Sequence, residues 1–124
     1  MGTCNILLVD DDPSVLKLVS VMLRRLNMTV TATADGSAAV SLLRSSTEHF
    51  DLLLTDIHLT DQDGLELSRL VLNEVPNIRV LYMTGDTGIA GSLRNRNLVC
   101  LSKPFRLQEL TAALDWVMSE EMRR

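Results

Sequence analysis

The chain has 124 residues, of which 46% are hydrophobic and 23% are charged, a composition that fits a folded globular protein and excludes a disordered segment. At this length we expect a single domain over residues 1–124. The net charge of −4 argues against nucleic acid or an anionic membrane surface as a direct partner. The sequence contains no apolar run of about 18 residues that would predict a membrane span.

Short apolar runs alternate with longer segments of helical period, the pattern of β-α-β units around a parallel sheet. The first run, Asn5–Val9, is apolar without alternation, which predicts a strand buried on both faces. Asp12 and Pro13 then open a helix, because Asp suits the N-cap and Pro the first helical position. The predicted buried stripe of that helix is Val15, Leu18, Val19, Met22, Leu23 and Leu26.

The same alternation continues to the end of the chain. It predicts further strands over residues 29–33, 52–55, 78–83 and 98–101, and further helices over residues 36–46, 64–73 and 107–118. Gly85, Gly88 and Gly91 fall within the segment that should hold the fourth helix, and each costs about 1 kcal/mol in a helix interior relative to Ala, so we expect a short or frayed helix there. Together these elements predict an α/β fold, a flavodoxin-like doubly wound five-stranded parallel sheet of order 2-1-3-4-5 with five helices.

Polar residues follow four of the predicted strands at the point where each strand ends. Asp10, Asp11 and Asp12 follow the first strand, and Asp56, Thr84 and Lys103 follow the third, fourth and fifth. Because the carboxyl ends of parallel strands meet at one edge of the sheet, these groups should share a pocket. Crowded carboxylates at neutral pH call for a hard cation such as Mg²⁺, and the chemistry that follows most naturally is phosphoryl transfer.

The two cysteines, Cys4 and Cys100, lie within or beside apolar runs, so we expect small buried side chains and a reducing, cytoplasmic setting. A disulfide bond between them is possible if the two strands are neighbours. Tyr82 and Trp116 are expected to be core or half-buried packing residues.

Four segments in order, ILLVDDDPSV, FDLLLTDIHLTDQDGLEL, RVLYMTG and LSKPF, resemble the receiver domain of bacterial two-component response regulators over nearly the whole chain. The resemblance implies that Asp56 accepts a phosphoryl group from a phosphohistidine of a histidine kinase or histidine phosphotransfer protein. It implies Mg²⁺ held by Asp11 directly, by Asp10 through water, by Asp56 and by the backbone carbonyl of His58. An oligomer is not strongly indicated.

The resemblance also assigns the remaining groups of the site. Lys103, the Thr84 hydroxyl and the backbone N–H groups of His58 and Gly85 would contact the phosphoryl group, and the bond before Pro104 would be cis. His58 and Asp86 would flank that group and influence hydrolysis of the acyl phosphate. Catalysis would be limited to the domain's own phosphorylation and dephosphorylation, with no turnover of a metabolite.

The chain departs from the family pattern at two named positions. Cys100 stands where a Tyr or Phe is usual, and Thr60 stands where a proline is frequent. The interval between Thr84 and Lys103 is also short, a feature that resembles the receiver modules of hybrid sensor histidine kinases. We therefore expect a module that relays or drains phosphoryl groups, without switching a DNA-binding output through an aromatic ring.

Two rival interpretations remain open at this point. A small phosphatase of the haloacid-dehalogenase type would use Asp10 as nucleophile and Asp12 as general acid and base, but it lacks a final acidic pair and leaves Asp56 unexplained. The other rival is a non-phosphorylatable interaction module with the same fold, although all the acceptor-site residues are present.

Overall fold

The computed structural model describes residues 4–119, and strands and helices alternate throughout them. The ends of the predicted domain, residues 1–3 and 120–124, lie outside the described residues. The strands are β1 (Asn5–Val9), β2 (Thr29–Thr33), β3 (Leu52–Asp56), β4 (Arg79–Thr84) and β5 (Cys100–Ser102). The helices are α1 (Pro13–Arg25), α2 (Gly36–Ser45), α3 (Gly64–Glu74), α4 (Thr87–Asn95) and α5 (Leu107–Val117).

The five strands form one parallel sheet in the order β2-β1-β3-β4-β5, which confirms the predicted topology. The order reverses direction between β1 and β3, so these two strands are neighbours at the switch point. In a doubly wound sheet a ligand binds outside the carboxyl ends of the strands at that point.

Successive residues of the central strands point to opposite faces of the sheet, and both faces are covered by helices. Ile6 and Leu8 of β1 pack in a core that includes side chains of α1 and α5, whereas Leu7 and Val9 pack with α2 and α3. All four side chains are fully buried, and full burial of such a side chain contributes roughly 1.5–3 kcal/mol. A smaller cluster packs α4 against β4 and β5 on the face that α2 and α3 cover.

Asp side chains begin four of the five helices. Each accepts a hydrogen bond from a backbone N–H in the first turn, which satisfies one of the donors that the helix itself leaves unpaired. The four N-cap residues are Asp12, Asp35, Asp63 and Asp86. At the other end, α1 and α4 are each followed by an asparagine with positive φ, Asn27 (64°) and Asn97 (61°), in the conformation that closes a helix.

The fourth helix is short, as expected, but it is not frayed. Helix α4 is regular over nine residues, because Asp86 caps it and Ala90 and Leu93 bury its inner face. The turn at Asn97 that closes this helix lies just before the fifth strand, which begins at Cys100 and not at residue 98 as predicted. Leu18, expected in the buried stripe of α1, is 60% exposed, whereas Trp116, expected to be a core or half-buried residue, is 48% exposed.

The two cysteines do not form a disulfide. Cys4 precedes β1 and Cys100 lies in β5, and β3 and β4 separate those strands in the sheet. Burial, together with the neighbouring Asp51, raises the pKa of the Cys4 thiol to about 11, and burial also raises the pKa of Cys100. Both thiols are therefore protonated at neutral pH and unsuited to act as nucleophiles.

Candidate functional site

The sheet register brings the predicted site residues to one edge. Val9 pairs with Thr55, and Thr84 pairs with Ser102, so the residues that follow or end these strands lie at the same level. Asp10, Asp56 and Lys103 meet there, as the strand-end pattern predicts.

Lys103 bridges two carboxylates at the centre of the site. Its Nζ atom lies 2.6 Å from Oδ2 of Asp56 and 3.1 Å from Oδ2 of Asp10, and its side chain is 19% exposed. Burial disfavours the ammonium, but the hydrogen bonds and charges of Asp56 and Asp10 outweigh that effect and raise the pKa of Lys103. Lys103 is therefore a fixed positive charge at neutral pH.

Asp10 is fully buried, and both of its carboxylate oxygens are hydrogen-bonded. Oδ1 accepts from the backbone N–H of Asp12 at 2.9 Å, and Oδ2 accepts from Lys103. Burial is the largest influence on its pKa, which lies above the ordinary value despite those two donors. The negative charge of Asp10 is thus costly unless further positive charge is present.

Asp56 ends β3 and is only 6% exposed. Its Oδ1 atom accepts from the backbone N–H of His58 at 3.0 Å, and its Oδ2 atom accepts from Lys103. The His58 side chain is exposed, and the backbone N–H of this residue faces the carboxylate. Gly64 packs against the same turn: a Cβ there would lie 2.2 Å from the carbonyl oxygen of Asp56, so no side chain fits.

Asp11 completes an acidic cluster that suits a divalent cation. One carboxylate oxygen each from Asp10, Asp11 and Asp56 lies within 4.8 Å of the others. Three carboxylates opposed by the single ammonium of Lys103 leave two negative charges, which an ion such as Mg²⁺ would neutralise with the oxygen ligands it prefers. The residues present therefore fit a hard divalent cation.

The remaining predicted residues surround this cluster. Thr84 is fully buried, its hydroxyl accepts from the backbone N–H of Asp86 at 3.1 Å, and its carbonyl accepts from the Lys103 N–H at 2.8 Å. Gly85 is exposed in the loop between β4 and α4. The Asp86 carboxylate caps α4 by accepting from the Ile89 N–H. The Lys103–Pro104 peptide bond is cis.

Sequence reasoning missed two features of the site. It did not foresee that Gly64 must lack a side chain, although a glycine after Asp63 at a helix start was a visible signal. It noted Thr60 as a departure from the family pattern but did not anticipate its hydrogen bond to Asp11, at 2.6 Å between Oγ1 and Oδ2.

The phosphatase interpretation fits the geometry less well. Its nucleophile, Asp10, is buried with both oxygens engaged, and its general acid and base, Asp12, accepts from the Ser14 N–H as the cap of α1. Fold and site together define a doubly wound α/β protein with an acidic pocket and a lysine at the switch-point edge.

Similarity to known proteins identifies the family. The protein-family model described as the response regulator receiver domain matches residues 6–115 of this chain. Two-component response regulator ORR22 of Oryza sativa subsp. indica is 36% identical over 107 residues, which cover 85% of this chain and 15% of the relative. The response regulator receiver protein CpdR of Brucella abortus (strain 2308) is 33% identical over 113 residues, which cover 89% of this chain and 92% of the relative. The chain belongs to the response regulator receiver domain family.

Solved structures agree with this assignment. The signal receiver domain of an HD domain-containing protein from Pseudomonas fluorescens Pf-5 superposes with a TM-score of 0.81 at 29% identity, covering 98% of both chains. The receiver domain of the hybrid histidine kinase CckA gives a TM-score of 0.77 over 93% of this chain and 99% of that chain, and at 22% identity this likeness shows the fold alone. The two rival functions are not favoured by these findings. Within residues 4–119, no helix combines the length and apolar character needed to cross a membrane.

Proposed function

We propose that Asp56 accepts a phosphoryl group from a phosphohistidine, with Mg²⁺ bound at the acidic cluster. The observation that carries this proposal is the position of Asp56 at the end of β3, with the Lys103 ammonium 2.6 Å from Oδ2 and the oxygens of Asp10 and Asp11 close by. Membership of the receiver family supports the same role. The chain then serves as the phosphoacceptor of a two-component pathway.

The chemistry follows from the charges around Asp56. A carboxylate oxygen of Asp56 forms a bond to phosphorus, the nitrogen–phosphorus bond of the phosphohistidine breaks, and the electron pair of that bond stays on the imidazole. Lys103 neutralises negative charge beside the reacting oxygen, and the His58 N–H fixes the other oxygen, so the nucleophile is already oriented. Bound Mg²⁺ would supply further positive charge to the phosphoryl oxygens.

The hydrogen bonds divide the proposed cation ligands into two groups. Asp10 has both oxygens engaged, which suits contact with the cation through water, while Asp11 suits direct contact. We propose Asp56 and the backbone carbonyl of His58 as the other protein ligands.

Thr84 and Gly85 are proposed to receive the phosphoryl group. The Thr84 oxygen accepts from the Asp86 N–H, and its own O–H remains a donor for a phosphoryl oxygen. The backbone N–H of Gly85 would be a second donor on the same side. His58 and Asp86 are proposed to influence hydrolysis of the acyl phosphate.

A surface groove beside the site supports the proposed partner, a histidine kinase or histidine phosphotransfer protein. The groove has a volume of about 280 Å³ between α1 and the segment after β5, and Lys103 lies in its wall. Its other lining residues are Val15, Leu18, Val19, Met22, Pro104 and Phe105. A helix that carries a phosphohistidine and packs its apolar face here would bring the phosphoryl group next to Lys103 and Asp56.

The output remains a separate proposal. At the position of β5 that pairs with Tyr82, the chain has Cys100 and not an aromatic residue. Because the usual aromatic ring is missing there, we propose that the domain relays or drains phosphoryl groups. The chain spans only 15% to 17% of the length of its rice relatives, and a place within a hybrid histidine kinase stays a prediction. The two free thiols support a cytoplasmic setting.

Transfer from a donor tests the proposal directly. A histidine phosphotransfer protein carrying a radiolabelled phosphoryl group should pass the label to the wild-type domain in the presence of Mg²⁺. An Asp56→Asn variant should remain unlabelled while keeping the fold. Equal labelling of the variant would refute the assignment of Asp56.

A further inference from the structure

Thr60 makes a short hydrogen bond to the exposed member of the acidic cluster. Its Oγ1 atom lies 2.6 Å from Oδ2 of Asp11, although 49 residues separate the two in the chain. The contact joins the loop after β3 to the loop after β1, and these two strands are neighbours in the sheet.

The loop that carries Thr60 is anchored by the residues around it. Asp61 accepts from the Gly36 and Ser37 N–H groups at 3.1 and 3.0 Å, which ties the loop to the start of α2. Asp63 caps α3 through the Leu65 N–H at 2.6 Å. The chain that directly follows Thr60 is therefore held in place, and the bond of its hydroxyl to Asp11 needs little additional ordering of the loop.

The three carboxylates of the cluster differ in how they are held. The oxygens of Asp10 and Asp56 are fixed by Lys103 and by backbone N–H groups. For Asp11, the hydrogen bond found among the described residues comes from Thr60. A carboxylate has two oxygens, so a donor on one of them sets the direction of the other.

Building on the proposed function, we propose that Thr60 is a positioning residue that orients the Asp11 carboxylate for a divalent cation. The hydrogen bond and the close approach of the three carboxylates coexist in the same structure, so the bond is compatible with the cation-binding arrangement. Partners that orient metal-binding side chains in this way typically change metal affinity by 10–100-fold when they are removed. A proline at this position has no hydroxyl and could not make the contact.

Substitution of Thr60 by valine tests this role, because valine keeps the branched shape and removes the hydroxyl. Magnesium binding to the intact domain would be measured by calorimetry for wild type, Thr60→Val, Thr60→Ala and Thr60→Ser. We expect about 10-fold weaker binding for the first two variants and binding within about 2-fold of wild type for Thr60→Ser. Thr29→Val, at an exposed position at the start of β2, is the matched control and should bind like wild type.

The kinetics separate positioning from a direct role in the reaction. With a small phosphoryl donor, Thr60→Val should need about 10-fold more Mg²⁺ for half-maximal rate and should recover the wild-type rate at saturating Mg²⁺. Unchanged or tighter Mg²⁺ binding in Thr60→Val and Thr60→Ala, or failure of Thr60→Ser to bind like wild type, would overturn the inference. Wild-type protein that is not labelled at Asp56 would instead contradict the proposed function, so the two failures are distinguishable.

Discussion

The Nζ atom of Lys103 lies 2.6 Å from Oδ2 of Asp56, although 47 residues separate them in the chain. This ion pair joins the end of β3 to the residue after β5 and is almost enclosed by protein. The same ammonium supports the buried Asp10, so one lysine determines the charge balance of the whole site.

Replacing Lys103 by methionine should have opposite effects on cation binding and on the reaction. Loss of the ammonium leaves the carboxylates more repulsive, so Mg²⁺ should bind several-fold more tightly. Loss of a charged donor at the reacting oxygen should slow phosphorylation on the order of 10²-fold. Calorimetry and the rate of labelling by acetyl phosphate at saturating Mg²⁺ measure the two effects, and an unchanged rate would show that Lys103 has no part in the reaction.

Replacing Asp10 by asparagine should stabilise the metal-free protein. Burial raises the pKa of Asp10 above its ordinary value of 3.8, so at pH values between the two the folded protein binds this proton more tightly than the unfolded chain does. The contribution of Asp10 to the free energy of unfolding therefore increases as the pH falls below the raised pKa and decreases as the pH rises. Asp10→Asn should therefore raise the free energy of unfolding at pH 7 on the order of 1 kcal/mol, with a smaller gain at lower pH.

Urea unfolding of wild type and Asp10→Asn at a series of pH values, with a chelator present, would measure that difference. Lys103 keeps Asp56 as a partner in the variant, so the ammonium is not left unpaired. A destabilised Asp10→Asn protein at pH 7 would contradict the account.

Gly64 and Gly91 form a matched pair for testing the turn after Asp56. A Cβ at Gly64 would lie 2.2 Å from the Asp56 carbonyl oxygen, whereas a Cβ at Gly91 meets nothing within 4 Å. Gly64→Ala should lower the free energy of unfolding by about 1–3 kcal/mol and slow phosphorylation. Gly91→Ala, inside α4, should raise it by up to about 1 kcal/mol with no change in rate, and denaturant unfolding would compare the two. Equal effects would refute the proposed steric conflict.

Magnesium should stabilise the folded domain through Asp11. A ligand at 100 times its dissociation constant contributes about 2.7 kcal/mol when it binds only the folded state. Thermal unfolding with and without Mg²⁺ should therefore show a clear upward shift for wild type and for Asp115→Asn, a control on the exposed side of α5. Asp11→Ala should lose most of that shift, and a full shift in this variant would exclude Asp11 as a ligand.

The fold was predictable because its signals are local. Apolar runs such as Asn5–Val9 give the strands, and Asp12 before Pro13 marks the start of α1. The fourth helix is short, as predicted, but it is not frayed, because the cap at Asp86 and the burial of Ala90 and Leu93 offset the cost of its glycines. Tertiary packing outweighed intrinsic helix propensity there.

The site was predictable only where it depends on strand ends. Asp10, Asp56 and Lys103 meet because the register of a parallel sheet places them together. The Thr60 contact to Asp11 depends on the path of two loops, and Leu18 is exposed because its side of α1 lines a surface groove. The spacing of apolar residues along a helix predicts neither the path of a loop nor whether another helix or strand covers a given helix face.

Mapping the phosphorylated residue would test the central claim most directly. The intact domain would be incubated with acetyl phosphate and Mg²⁺, the acyl phosphate would be trapped chemically, and the modified peptide would be sequenced by mass spectrometry. We predict a single modification at Asp56, which disappears in Asp56→Asn and in the absence of Mg²⁺. Modification at Asp10, or an unmodified wild-type protein under these conditions, would contradict the account.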